Sequence, residues 1–493
     1  MNISTVIIGL VLLLALVLGI LASRGKDMSM EQWTTGGRGF GTIFIFLLMA
    51  GEIYTTNAFL GISGWAYDKG GAAFFNISML NFLVAYWLTP KIWRYAAEHR
   101  LVSQSDFFVS VYKSRALGIL VAVIGLIALI PYLVIQLKGL GIIVAESSYG
   151  AIPPQVSIWI GTIAMVAYVM VSGIHGSAWT ATIKDLLILV VVIFIGLYLP
   201  YHYYGGIEST WRAVQAAKPG FLTLSGAGFS ASWYVSTLVL VSFGFYMWPH
   251  TFLAVFSAKS GKALRNNAMV LPLYALFILF VLFAGTVAAL QVPGLKGSDI
   301  DLALFKVSKM TFHPAIVGLI GAAGLLAAIV PGSLLLMSAA SLLTKNIYLE
   351  ARPQTSDKHA LYIAKGLVPV VALVSLYATF KGGTAITLLL LMGYGMVTQF
   401  VPAVIGAFLR RNPFSTAGVF AGIGAGGAIV ASQPLLGWSL ATLAPDAPQW
   451  FKDLNVGLLA LVVNVAIALA VSTVTRRADS ATSGGNRILT AKV

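Results

Sequence analysis

Mostly apolar stretches of about 20 residues recur from one end of the chain to the other, and each is long enough to cross a bilayer as an α-helix. We count thirteen such spans, separated by short polar segments: 3–23, 41–66, 73–95, 116–145, 156–174, 186–204, 233–257, 269–291, 313–342, 361–380, 384–409, 415–436 and 455–475. The pattern predicts an all-α integral membrane protein with thirteen transmembrane helices. One transmembrane domain is expected over residues 1–477, followed by a polar, disordered cytoplasmic tail over residues 478–493.

The composition agrees with a surface that faces lipid. Apolar residues make up 58% of the chain and charged residues only 10%, whereas a soluble domain has about 25% charged residues. Cysteine is absent, which excludes disulfides and Cys-ligated metals. No positive charge precedes the first span, and Arg24 and Lys26 follow it. We therefore interpret this span as a retained anchor; a cleaved signal peptide is the alternative.

The net charge of +15 is distributed unevenly between the two sides of the predicted bundle. If the amino terminus lies outside, the cytoplasmic segments and adjoining span ends contain 22 Lys and Arg residues, and the outer segments contain eight. Lys and Arg are enriched on the cytoplasmic side of membrane proteins. We therefore predict an outside amino terminus and a cytoplasmic carboxyl terminus in the cell (inner) membrane. The charge is assigned to membrane orientation and not to nucleic-acid binding.

Glu52 is the one acidic residue deep inside a predicted span. A charge at the bilayer centre costs about 2.5–3.5 kcal/mol on insertion scales, so such a residue pairs, binds an ion or stays protonated. Its neighbours Gly51, Thr55 and Thr56 are poor helix formers. A helix broken here would expose backbone carbonyls to a cation at the membrane midplane. The alternative is a protonated Glu52 that hydrogen-bonds to a neighbouring helix.

A second interruption is predicted at Trp248-Pro249-His250, in the other half of the bundle. Proline removes a helical donor and frees a carbonyl, and the flanking residues add polar atoms. Two interrupted spans in the two halves indicate the binding site of an inverted-repeat transporter. A simple proline kink is the alternative for this span taken alone.

The span 116–145 contributes further polar side chains. Tyr132 and Gln136 are four residues apart and share a helix face. Lys138 is a possible counter-charge for an anionic solute, or it extends to the outer surface. We predict that one central cavity is lined by Glu52, Tyr54, Thr55, Tyr132, Gln136 and Trp248. The predicted substrate-binding residues are Glu52, Thr55, Thr56, Tyr132, Gln136, Lys138 and Trp248.

Short motifs near the span ends are specific when they are taken together. They are Glu31-Gln32-Trp33, Gly36-Gly37-Arg38, Gly61-Ile62-Ser63-Gly64, the Thr182-Ile183-Lys184-Asp185 turn, Pro249-His250-Thr251, Ser260-Gly261-Lys262, Asn266-Asn267-Ala268 and Leu343-Thr344-Lys345-Asn346-Ile347-Tyr348. Over about residues 1–350 the chain resembles the sodium–solute symporters. Trp-Pro-His-Thr, Ser-Gly-Lys and Val330-Pro331 look most like the bacterial monocarboxylate permease branch, which handles lactate, pyruvate and related short acids.

The resemblance implies a leucine-transporter-type fold. Its five-plus-five inverted repeat corresponds to about residues 41–409, with one helix before it and two after. The resemblance also implies a sodium site, for which the cation-binding residues are Gly51, Tyr54, Ala328, Ser333 and Asp185. The chain departs from the family pattern at Pro331 and Gly332, which stand where two hydroxyl side chains are expected. No other metal site is predicted.

These features predict a cation-coupled secondary active symporter, and not an enzyme, that imports a short monocarboxylate similar to lactate, pyruvate or acetate. The family implies sodium as the coupling ion, whereas Pro331, Gly332 and the titratable Glu52 favour a proton. A symporter for an amino acid or another small organic acid, a transporter-like membrane sensor, and a channel or membrane enzyme are the alternatives. The sequence contains no GxxxxGK[ST] motif for ATP. No organic cofactor and no obligate protein partner is predicted.

Overall fold

A computed structural model describes residues 2–24 and 29–479 of the protein, and this part of the chain is helical almost throughout. The α-helices in chain order are α1 (Ile3–Ser23), α2 (Met30–Thr35), α3 (Thr42–Ile53), α4 (Ile62–Lys69), α5 (Leu80–Glu98), α6 (Gln104–Tyr112), α7 (Arg115–Ser147), α8 (Pro154–Tyr204), α9 (Ile207–Ala217), α10 (Ala231–Gly244), α11 (Pro249–Phe256), α12 (Gly261–Leu276), α13 (Ile278–Gln291), α14 (Ala303–Thr311), α15 (Pro314–Leu343), α16 (Leu349–Ala351), α17 (Asp357–Lys381), α18 (Ile386–Val397), α19 (Val401–Ala407), α20 (Thr416–Leu436), α21 (Leu440–Leu443), α22 (Gln449–Lys452) and α23 (Val456–Asp479).

Shorter helical segments of 3-10 or π geometry connect several of these helices. They are Gly36–Arg38, Asn57–Gly61, Gly70–Ile77, Phe245–Met247, Gly297–Leu302, Thr344–Tyr348 and Thr398–Phe400. Within the described ranges the chain forms no β-strand, and extended pairing is limited to one isolated bridge between Phe40 and Ala258. The all-α class predicted from the sequence is therefore the class observed.

Ten helices of the described chain are long and apolar enough to cross a membrane, or eleven if the bent pair α10 and α11 counts as one span. The predicted number of thirteen is not confirmed. Two of the ten, Asn57–Glu98 and Pro154–Tyr204, have 42 and 51 residues, about twice the length that a bilayer requires. α3 has only 12 residues and is too short to span by itself.

Helix α8 covers both of the spans predicted at 156–174 and 186–204. It consists of two helical segments that meet at a kink at Gly173, whose φ of 53° and ψ of −148° are accessible to glycine and strained for other residues. The predicted turn at 182–185 is helical instead. Hydropathy falls at Lys184 and Asp185, which resembles a loop in the sequence. Both side chains are buried and paired with each other in the structure, so the helix continues through them.

The burial of the helices shows which of them lie at the centre. In the span Pro314–Ala351, which begins with α15, 94% of the residues in the most apolar 18-residue stretch are buried. The corresponding share in α1 is 22%. The peripheral helices expose large apolar side chains, such as Leu13 on α1, Leu186 on α8 and Tyr377 on α17. An apolar surface of this kind suits contact with lipid. α15 is therefore surrounded by the bundle, and α1 packs on its outside.

The glycines at positions 418, 422 and 426 of α20 allow a close approach to α23. A Cβ atom at Gly418 would lie 2.1 Å from Oγ of Ser472, and one at Gly422 would lie 2.4 Å from Oδ1 of Asn464. These glycines serve helix packing, as small residues do in membrane helices. The described part of the last helix, α23, includes 478 and 479. The rest of the predicted disordered tail, residues 480–493, lies outside the described residues.

Candidate solute and cation site

The first helix break separates α3 from the π-helical segment Asn57–Gly61. α3 ends at Ile53, and Tyr54 leaves helical geometry with φ −94° and ψ 79°. The two following residues, Thr55 and Thr56, are buried, and their hydroxyls compete with helical hydrogen bonds. The structure therefore contains the interruption that the sequence predicts beside Glu52, and the break frees backbone carbonyls inside the bundle.

The second break lies between α10 and α11, which bend relative to each other by 51°. Trp248 is extended, with φ −69° and ψ 139°, and Pro249 occupies the first position of α11. Proline suits this position because its missing N–H has no helical partner there. Since Trp248 is not helical, this is an interruption of the span and not a simple proline kink.

Glu52 and His250 join the two breaks. Oε2 of Glu52 lies 2.7 Å from Nε2 of His250, and the two side chains are 2% and 1% exposed. A buried carboxylate is costly unless it is paired and hydrogen-bonded. The contact with His250 therefore explains how α3 accommodates an acid inside the bundle. The contact is an ion pair by distance: neither Oε1 nor Oε2 of Glu52 has a partner with hydrogen-bond geometry among the described residues.

A cavity of about 80 Å³ lies beside this pair. Its polar lining residues come from several helices and are Glu52, Thr55, Asn57, Asn76, Ser78, Asn81, Tyr132, Thr387 and Tyr394. None of the described residues that line it is a lysine or an arginine. A mostly apolar cavity with a few convergent polar groups is typical of a small-molecule site. Three residues of the predicted cavity, Glu52, Thr55 and Tyr132, are among those that line it.

Three other residues of the predicted site do not line this cavity. Thr56 donates a hydrogen bond of 2.7 Å from Oγ1 to Oε1 of Gln136, and both residues are wholly buried. The ring of Tyr54 packs against Tyr274, with 4.9 Å between the ring centroids. The Thr56–Gln136 bond attaches the break to α7. These residues therefore hold the wall of the site in place without facing the cavity.

Trp248 lies one layer behind the cavity wall. Its ring centroid is 4.9 Å from that of Tyr132 and 5.4 Å from that of Tyr394, two residues that line the cavity. Gly393 leaves room for the indole, because a Cβ atom there would lie 2.3 Å from Cη2 of Trp248. Trp248 therefore supports the two tyrosines that form the wall.

The predicted role of Lys138 in solute binding stays a prediction, and the structure shows which groups hold its side chain. Its Nζ atom lies 2.6 Å from Oδ2 of Asp301, whose side chain is 0% exposed, and 3.0 Å from the carbonyl oxygen of Thr384. The backbone N–H of Ile386 donates to the same Asp301 oxygen over 3.1 Å. Lys138 is held by a buried acid, because an unpaired carboxylate there would be costly. It connects α7 to the segment before α14 and to the start of α18, away from the cavity lining.

Lys184 reaches the carbonyls that the first break exposes. Its Nζ atom lies 3.3 Å from the oxygen of Gly51 and 3.2 Å from the oxygen of Tyr54. Oδ1 of Asp185 is 2.9 Å from the same nitrogen, and the lysine side chain is 0% exposed. Tyr274 donates from its hydroxyl to Oδ1 of Asp185 over 3.2 Å. Asp185 thus acts as the partner of Lys184 in this structure.

The residues at this position do not fit a sodium ion. An ion on the two carbonyls would lie within about 4 Å of the ammonium, where two unit charges repel by about 4 kcal/mol at an effective dielectric constant of 20. On α15, Pro331 and Gly332 have no side-chain oxygen, and Ala328 adds none. The hydroxyl of Ser333 donates to the carbonyl of Val330 and lies 2.6 Å from both that oxygen and Oγ of Ser177. The predicted role of Ser333 as a ligand is therefore not supported by its contacts.

Several residues of the site were missing from the predicted set. His250 is present in the Pro-His-Thr motif, and its position after a proline in a broken span is a usable signal. Tyr394 and Thr387 carry no local signal, because they lie in a regular apolar helix. The sequence predicts Lys184 in a turn. Its acceptors Gly51 and Tyr54 are more than a hundred residues away, so no local pattern indicates the contact.

The family follows from a match that covers most of the chain. Residues 33–426 match the Sodium:solute symporter family. The chain belongs to this family. It is thus a multi-pass membrane protein and a cation-coupled symporter for a small molecule, as the sequence predicts at this level. The membership covers both helix breaks and the cavity between them.

Curated relatives extend over nearly the whole length. An uncharacterized symporter of Bacillus subtilis (strain 168), YhjB, is 56% identical over 98% of this chain and 99% of its own. A monocarboxylate transport permease protein of Rhizobium johnstonii is 30% identical over 93% of this chain and 94% of its own. The osmoregulated proline transporter OpuE of Bacillus subtilis is 24% identical over 82% of this chain and 84% of its own.

Solved structures identify the fold. A Na+-coupled sialic acid symporter in a substrate-bound outward-open state has a TM-score of 0.76 at 17% identity, covering 99% of this chain and 100% of that one. A nucleobase-cation-symport-1 family transporter has a TM-score of 0.61 at 13% identity, covering 92% and 96%. The predicted leucine-transporter-type fold is therefore confirmed.

Proposed function

We propose that this protein imports a short monocarboxylate together with a cation, through the cavity between the two helix breaks. The observation that carries the proposal is the convergence of Glu52, Thr55 and Tyr132 on one small cavity at the junction of the interrupted helices, where Glu52 also contacts His250 of the second break. Transporters with broken helices bind their solutes at this junction. The full-length relative named as a monocarboxylate transport permease supports this class of solute.

The size of the cavity supports a small solute. It measures about 80 Å³, and roughly 10–15 Å³ of such space holds one water molecule. A solute of only a few non-hydrogen atoms therefore fits without rearrangement of the wall. The lining supplies hydroxyl and amide donors from residues such as Tyr132, Asn76 and Asn81. The helix termini at the two breaks add partial positive charge for a carboxylate.

A solute that carries an ammonium group, such as an amino acid, is a second candidate. Oε1 of Glu52 lies without a hydrogen-bond partner among the described residues, and Glu52 lines the cavity. A carboxylate in this position attracts a cationic group and repels an anionic one. The proline transporters among the relatives are consistent with this class.

Uptake into proteoliposomes tests both candidates. Purified protein is reconstituted, and accumulation of labelled lactate, pyruvate, acetate, alanine and proline is measured under an inward sodium gradient, an inward proton gradient, both, or neither. We expect a short monocarboxylate to accumulate above its external concentration only with an imposed cation gradient. Accumulation of amino acids alone would favour the second candidate. Equilibration of a solute without any gradient would contradict symport.

We also propose that the amino terminus faces outside and the described carboxyl end faces the cytoplasm. With the buried Lys184 removed from the count, 21 Lys and Arg residues remain on the cytoplasmic side against eight outside, which supports this orientation. The chain has no cysteine, so single cysteines are free of background. In intact cells, an impermeant thiol reagent is expected to label Ser225→Cys and to leave Arg411→Cys unlabelled. The reverse pattern would contradict the orientation.

A further inference from the structure

Lys184 places a positive charge of the chain itself on the carbonyls of the first helix break. Its Nζ atom lies 3.3 Å from the oxygen of Gly51, 3.2 Å from that of Tyr54 and 2.9 Å from Oδ1 of Asp185. An ammonium group has three N–H donors and no acceptor. These three oxygens are enough to satisfy all of its donors. Lys184 is therefore buried with an oxygen acceptor at the helix break for each N–H group of its ammonium.

Carbonyls freed by a broken helix coordinate the coupling cation in transporters of this architecture. In this chain the same oxygens already hold an ammonium group. We infer that Lys184 is a tethered cation that replaces sodium at the helix break, so that this protein binds and transports its solute without a sodium ion at that position.

On the opposite side of the break, α15 offers apolar contacts that suit the buried side chain of a lysine. An atom placed at the Cβ position of Gly51 would lie 3.4 Å from Nζ of Lys184 and 3.9 Å from a methyl group of Val330. α15 thus presents a hydrocarbon at this point of the break. A side chain at Gly332 would lie 2.4 Å from Cε of Met165, so a hydroxyl-bearing residue there requires Met165 to move. The wall supplies packing around the lysine and not oxygen ligands.

Asp185 determines what happens when the ammonium is removed. Its Oδ1 atom bonds Lys184 and Tyr274, and its Oδ2 atom has no hydrogen-bond partner among the described residues. Without the lysine, a carboxylate and the two carbonyls of Gly51 and Tyr54 would surround a gap. Oxygen ligands of this kind suit a hard cation. Lys184→Ala is therefore expected to create a sodium site that the natural chain does not have, and alanine keeps α8 helical.

Direct binding of radiolabelled sodium to the purified protein tests the inference without any solute. We expect no saturable binding to the natural chain at millimolar sodium, and saturable binding to Lys184→Ala. Lys184→Arg retains the charge and is expected not to bind sodium. Lys365→Ala removes a half-buried lysine from another span, α17, and is the matched control that should behave like the natural chain. Saturable sodium binding to the natural chain would overturn the inference.

Uptake provides a second measurement, which rests on the proposed function because it needs a transported solute. With sodium replaced by N-methyl-D-glucamine at constant pH and membrane potential, the natural chain is expected to transport equally well. Lys184→Ala is expected to lose uptake roughly tenfold or more without sodium and to regain part of it as sodium is added. A roughly tenfold loss of uptake by the natural chain without sodium would overturn the inference.

The two measurements separate failure of this inference from failure of the proposed function. If no monocarboxylate accumulates under any gradient, the proposed solute is wrong, and sodium binding still decides the role of Lys184. Size-exclusion chromatography and thermal unfolding show whether each variant folds. If Lys184→Ala does not fold, the absence or presence of sodium binding to the natural chain gives the answer alone.

Discussion

Oε2 of Glu52 and Nε2 of His250 lie 2.7 Å apart, and this contact connects the end of α3 to the first turn of α11. The two residues belong to different interrupted helices and are nearly 200 positions apart in the sequence. Because both are buried, a movement of one helix relative to the other separates an acid from its partner. The pairing of Glu52 at the cavity wall therefore depends on the arrangement of the two broken helices.

Glu52→Gln keeps the shape of the side chain and removes its charge. Without the carboxylate, Nε2 of His250 stays buried without its ion-pair partner, which costs about 1–3 kcal/mol, so we expect concentrative uptake to fall by about ten- to a hundredfold. His250→Gln should have a similar effect. The double variant should lose little more than either single variant, because the two residues act as one pair. Uptake under an imposed gradient in proteoliposomes measures all three.

The matched control for this prediction is Glu208→Gln. Glu208 also forms an ion pair, with Arg212 at 2.6 Å, but both side chains are 79% exposed, and exposed pairs contribute little. Its uptake should equal that of the natural chain. Normal concentrative uptake by Glu52→Gln, with a loss in the control, would show that the buried pair has no part in transport.

Lys138→Met leaves the carboxylate of Asp301 buried without its cation. Removing one partner of a buried ion pair costs about 3–5 kcal/mol, so we expect a clear fall in the thermal unfolding temperature. The double variant Lys138→Met/Asp301→Asn should recover much of the loss, because no unpaired charge remains. Thermal unfolding in detergent measures both, with Lys358→Met, at an exposed position of α17, as control.

The same variants decide whether Lys138 also acts on the solute. Since its Nζ atom is engaged by Asp301 and Thr384, we expect Lys138→Gln to reduce uptake of an acid and of its neutral analogue equally. A selective loss of acid uptake would show that Lys138 contributes to solute binding.

Thr56→Val removes the hydroxyl that bonds Gln136 over 2.7 Å and keeps the shape of the side chain. A buried amide oxygen left without its donor costs about 1–3 kcal/mol. We expect a lower unfolding temperature and a weaker apparent affinity for the solute, since the bond attaches the first break to α7. Thr473→Val, at an exposed position of α23, should change neither. Equal effects of the two substitutions would show that the Thr56–Gln136 bond does not stabilise the site.

The helix breaks and the family were predictable because their causes are local. Weak helix formers surround Glu52, and a proline follows Trp248, so each interruption is visible within a few residues. The start of the second span in α8 was predicted too late, for the opposite reason: the helix resumes directly after Gly173 and runs through Lys184 and Asp185. Two adjacent charged residues resemble a loop by hydropathy, whereas their neutralisation depends on each other and on carbonyls of another helix.

The partners of the charged side chains were not predictable from local sequence. Lys138 and Asp301 are 163 positions apart, and Lys184 and Gly51 are 133 apart. In the sequence alone, each lysine is an isolated charge near a membrane surface. The simplest interpretation is a cationic side chain without a partner in the protein. The structure shows instead that both are neutralised by buried acids, and that leaves the cavity itself without a lysine or arginine among its lining residues.

Gly393→Ala tests whether the position of Trp248 determines the shape of the cavity. A Cβ atom at Gly393 would lie 2.3 Å from Cη2 of Trp248, so the indole, which packs against Tyr132 and Tyr394, must shift. Overpacking of this kind costs about 1–3 kcal/mol, and we expect the half-saturation concentration for uptake to rise about tenfold. Gly424→Ala is the control, because no atom lies within 4 Å of a Cβ there and alanine favours the helix. Unchanged half-saturation in both variants would mean that the wall formed by the two tyrosines does not contact the solute.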